Sequence, residues 1–76
     1  MDTFANYLLD LGNFLKRDAL DVKAERSNAT FADRAFLDGK LLAYNEVLSL
    51  MLCQAVAFGL DPKSIGLEDF DPDKEL

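Results

Sequence analysis

Few residues in this 76-residue sequence have types and spacings that could do chemistry. Cys53 is the single cysteine, and Ser49 precedes it by four residues. Either could act as a nucleophile, but only beside a base or in an electropositive setting that favours the anion. The sequence has no histidine, and Cys53 sits among Leu50, Met51, Leu52 and Val56. Cys53 is therefore expected to be a buried structural thiol and Ser49 an unactivated hydroxyl. Asp69, Asp71 and Asp73 alternate as the opening carboxylates of an EF-hand loop do. Lys74 stands where such a loop needs glycine, Pro72 restricts the backbone, and the sequence stops short of the closing glutamate. These three read as a solvated acidic segment. Glu46 lies on a long helical stretch, but di-metal bundles pair such a residue with Glu-x-x-His motifs. One thiol without histidine makes no zinc site either. No catalytic, cofactor-binding or metal-ligating residue is expected, and no cofactor.

The formal net charge is −6. Phosphate backbones attract clusters of Lys and Arg, and none is present, so direct nucleic-acid binding is not expected. A basic protein partner fits the charge. Asp18, Asp21 and Glu25 form the candidate surface for it, an acidic ridge near the end of the first helical stretch. The opening residues Met1-Asp2-Thr3-Phe4 do not resemble a signal peptide. The longest apolar run is broken by Ser49 and Gln54, whereas a membrane span needs about 20 apolar residues. These features lead to the expectation of a cytoplasmic chain with no membrane partner, in which the Asn28-Ala29-Thr30 tripeptide has no role as a glycosylation acceptor.

The elements that must position these residues are helices. Leu37, Leu41, Tyr44, Leu48, Met51, Ala55 and Phe58 recur at alternating spacings of four and three, a heptad-like seam. In the second half of this stretch Val47, Leu50, Leu52, Cys53, Val56 and Ala57 make the helix apolar nearly all round, and such a helix expects cover on several sides. Gly59 is placed to stop it, with Leu60 supplying the contact of a Schellman motif. Upstream, Phe4, Leu8, Leu11, Leu15, Ala19 and Val22 form a second stripe with Thr3 as its N-cap. Arg17 stands four residues before Asp21, and Arg34 four before Asp38, each a candidate surface ion pair. Gly12 marks either a close approach of a neighbouring helix or a tolerated defect. Ser27-Asn28-Ala29-Thr30 favours a break, and Thr30 can cap the next helix. So short a connection makes the two helices antiparallel neighbours.

The expected fold is thus all-α: helix one over about 3–26, helix two over about 31–58, and a C-terminal strap over 59–76. Asp61-Pro62 and Asp71-Pro72 each open a single turn. Leu60, Ile65, Leu67 and Phe70 anchor the strap, and its end from about Asp73 is expected to fray. Tyr7, Phe14, Phe36, Tyr44 and Phe58 are expected in the core. The two main stripes cover each other and leave Val47, Leu50, Leu52 and Val56 as a surplus. A chain of this size buries only about 60% of its unfolded surface and needs help to be stable. Disulfides and metals are not at hand, so the surplus points to a homodimer, most simply a four-helix bundle of two hairpins. The function this suggests is a small interaction or regulatory module acting as a homo-oligomer. The alternative is an acidic inhibitor of a basic partner, antitoxin-like or immunity-like, or a mimic of nucleic-acid charge.

Overall fold

The computed structural model describes residues 2–76 and contains, among them, two long helices, one short 3-10 turn, one short helix and no strand. Helix α1 spans Thr3–Ser27 and α2 spans Phe31–Ala57. They pack against each other as an antiparallel hairpin, with the short turn η1 (Pro62–Ile65) and helix α3 (Pro72–Glu75) folded back on them.

The caps follow from side chains that complete unpaired backbone groups. Asp2, not Thr3, is the first N-cap: its carboxylate accepts the Phe4 N–H at 3.0 Å, and Thr3 is already helical. A carboxylate there also meets the positive end of the helix dipole. Thr30 caps α2, its hydroxyl accepting the Asp33 N–H at 3.3 Å. At the far end the Gly59 N–H donates to Val56 O at 3.0 Å and the Leu60 N–H to Ala55 O at 2.7 Å. With Gly59 at φ 68° this is the expected Schellman closure. Both Asp-Pro steps open a turn: Asp61 caps Lys63 N and Asp71 caps Asp73 N, each at 3.0 Å, with proline in the first position where no donor is needed.

The core is a layer between the hairpin and the strap. Its central cluster joins Ala19 of α1 and Leu48 and Ala55 of α2 to Ile65, Leu67 and Phe70 of the strap. A second cluster near the connection joins Val22 to Leu37 and Leu41, and Tyr44 and Leu76 pack against both. Leu48 and Leu67 are completely buried. Burial of a side chain of this size stabilises by about 1.5–3 kcal/mol, so the three strap anchors matter to a chain this small.

Gly12 does mark a close approach, but by the strap and not by α2. A Cβ at Gly12 would lie 1.6 Å from the Ile65 carbonyl oxygen. Gly66 is the matching half: it is left-handed, at φ 77°, and a Cβ there would lie 2.6 Å from Leu9 O. The strap therefore crosses α1 backbone to backbone. Its end is docked and not frayed. Lys23 Nζ donates to Glu75 O at 2.6 Å, Asn45 Nδ2 donates to Asp73 Oδ1 at 3.3 Å, and Leu76 packs on the core.

Candidate functional site

The strap lies along one side of the hairpin and leaves the other side open. On α1 it meets the side carrying Gly12 and on α2 the side carrying Leu48 and Leu52. At 100° per residue, the residues rotated away from the strap on α1 are Phe4, Tyr7, Leu11, Phe14, Asp18, Asp21 and Glu25. On α2 they are Phe36, Lys40, Ala43, Val47, Leu50, Gln54 and Ala57. Both series alternate spacings of three and four, as in a left-handed bundle. Shallow hollows run between them. Leu15 lies beside Lys40, Ala43 and Val47 in one; another, at the far end, brings Leu8 beside Met51, Gln54 and Phe58 and is bounded by Leu60 and Ile65 of the strap. A third, at the connection, brings Glu25 near Phe36 and Lys40.

This open side changes what the aromatic residues do. Tyr7, Phe14, Phe36 and Phe58 are exposed, by 51–75%, and of the five aromatics expected in the core only Tyr44 packs there. Tyr7, Phe14 and Phe36 lie on stripes that turn away from the strap, and Phe58, expected as the last member of the buried seam, stands exposed at the end of α2. Two of the rings carry a cation from their own helix: Arg17 lies 4.8 Å from the centre of Phe14, and Lys40 lies 5.6 Å from that of Phe36. Such contacts are worth about 0.5–1 kcal/mol at exposed sites.

The four surplus residues of α2 divide between the two sides. Val47 and Leu50 are exposed on the open side, at 46% and 61%. Leu52 packs on the central core beneath the strap. Val56 is 75% exposed and stands one helical turn from Leu52, on the flank of α2 turned away from the open side and uncovered by the strap. The ridge of Asp18, Asp21 and Glu25 is exposed along its length. Arg17 reaches Asp18 at 3.9 Å and not Asp21. Asp38 pairs with Arg26 across the connection and not with Arg34 along its own helix. The fold brings those helix ends together, and a cross-helix partner wins over the neighbour four residues away.

Cys53 is exposed, contrary to the expectation of a buried thiol. One residue beyond Leu52, it is rotated about 100° away from the side that the strap covers. Ser49 donates to Asn45 Oδ1 at 3.1 Å, and Glu46 is exposed. The alternating aspartates act separately: Asp71 caps α3, Asp73 accepts from Asn45, and Asp69 holds a left-handed turn at φ 54°. Among the described residues no three of His, Cys, Asp and Glu come together as a metal site would need. None of their helices is long and apolar enough to cross a membrane.

Sequence reasoning missed the second seam, although its signal was present. Phe36, Ala43, Val47, Leu50 and Ala57 keep heptad spacing, interrupted only by Lys40 and Gln54. The all-round apolarity of α2 hides two distinct faces, one under the strap and one open. Comparison with protein-family models, with curated proteins and with solved structures found no match to this chain.

Proposed function

We propose that this protein is a small helical interaction module that works as a homo-oligomer and has no catalytic step of its own. The observation that carries this reading is the open side of the hairpin. Tyr7, Phe14, Phe36, Val47, Leu50 and Phe58 all stand exposed along two neighbouring helices. Scattered exposed apolar residues need no explanation, but a continuous apolar band rimmed by charge is characteristic of an interaction surface. The cytoplasm suits the reading, since a single exposed thiol persists there in reduced form.

Association linked to folding makes thermal stability depend on concentration. The melting temperature, followed by circular dichroism, is expected to rise as the chain is concentrated from about 1 to 100 times its dissociation constant. A melting temperature independent of concentration would count against a homo-oligomer.

A second reading, an acidic inhibitor of a basic protein, is favoured by the exposure of Asp18, Asp21 and Glu25 on one ridge. Affinity for a basic partner should then fall steeply with salt and fall further when Asp21 and Glu25 become Asn and Gln. Retention of affinity in those variants would remove the ridge from consideration.

A further inference from the structure

Resting on the homo-oligomer reading above, we infer that the occupant of the open side is a second copy of this chain, docked through the apolar half of the face with the two connections at opposite ends. Three observations lead there.

The first is area. A monomeric chain of 8.5 kDa exposes about 4,700 Å², whereas this one exposes 5401 Å². The excess, about 700 Å² against the monomer expectation, is close to the roughly 800 Å² each partner contributes to a standard interface. The hairpin and strap measure 44 × 21 × 16 Å, a slab covered on one broad side only.

The second is period. Both open stripes alternate three and four residues, so they fit a partner that presents helices of the same period at a shallow crossing angle. A second hairpin offers two such helices and closes a four-helix layer.

The third is charge, and it selects the arrangement. Along α1 the open stripe is apolar from Phe4 to Phe14 and acidic from Asp18 to Glu25. Along α2 its apolar part, Ala43 to Leu50, lies beside the apolar part of α1, and Lys40 lies near Glu25 at the acidic end. With the two connections at the same end, six carboxylates would gather around two lysines and the two Arg17 side chains that reach Asp18, and the excess of like charge repels. With the connections opposed and the apolar halves overlapped, no carboxylate is covered. Leu50 then lies near the two-fold axis, about 30 Å along the helix from the connection, and both acidic ridges stay in solvent. Leu52 and Val56, turned away from the open side, take no part.

The test has two arms. Sedimentation of the wild type, Leu50→Glu and Val56→Glu compares the two sides of α2. Leu50→Glu is expected to weaken association by roughly 100-fold or more, because it places an unpaired carboxylate in the contact; Val56→Glu is expected to leave it unchanged. If the wild type is a monomer, the homo-oligomer reading itself fails. If it is a dimer that Val56→Glu breaks and Leu50→Glu spares, that reading stands and the face assigned here is wrong. The second arm places a spin label at Asn28→Cys in a Cys53→Ser background, which leaves the open side intact and decides the matter should Leu50→Glu lose its helicity. Opposed connections with overlapped apolar halves predict about 50 Å or more between labels. Any shorter distance overturns the arrangement.

Discussion

Gly12 and Gly66 show how single atoms set this fold. The strap can reach the core only where α1 has no side chain to stop it, and Gly12 supplies that opening below Ile65. Gly12→Ala would raise helix propensity by about 1 kcal/mol. It would also drive a methyl into a backbone carbonyl, and overpacking of this kind costs about 1–3 kcal/mol or more. Net destabilisation is expected, read as a lower urea midpoint; a higher midpoint would contradict the crossing. Thr30→Ala removes the cap of α2 and is expected to destabilise by about 1 kcal/mol in the same assay. At this scale the sequence was partly readable. Thr30, Gly59 and both Asp-Pro caps act locally, so local spacing finds them. The partner of Gly12 lies more than fifty residues away, and the exposure of Cys53 depends on which side of α2 the strap covers. Neither is contained in a local pattern.

The long helices and their mutual seam were expected from spacing, because a 3.6-residue period leaves a visible stripe. Across the hairpin Val22 packs with Leu37 and Leu41, and Leu8 lies beside Met51. The strap was foreseen as an element, but its grip was underestimated. The end expected to fray is held by Lys23, Asn45 and the burial of Pro72. The strap's contribution can be measured through Leu67, which is completely buried. Leu67→Ala is expected to cost about 2–5 kcal/mol, while Leu20→Ala, at a site 40% exposed, should stay within roughly 0.5 kcal/mol. Hydrogen exchange should show strap amides loosening in Leu67→Ala. Equal effects of the two substitutions would mean that the strap adds little. The Arg26–Asp38 pair joins the helix ends, but both side chains are about half exposed, so Asp38→Asn should cost less than about 1 kcal/mol.

For the molecule as a whole, the decisive feature is asymmetry between its two broad sides. One side is closed by Ile65, Leu67 and Phe70, and the other displays two heptad stripes without cover within the chain. The sequence indicated an apolar surplus on α2 but assigned Val47, Leu50, Leu52 and Val56 to one interface. Which of them the strap would take depended on the path of its eighteen residues, and a path of that kind is set by the Gly12–Gly66 crossing. The division also keeps the two proposed roles apart in space, with the apolar half assigned to self-association and the acidic ridge to another protein. Sedimentation equilibrium of the unmodified chain at micromolar concentration tests this account most directly. It predicts a species of twice the 8.5 kDa chain mass; a single species at the chain mass across the whole concentration range would contradict it.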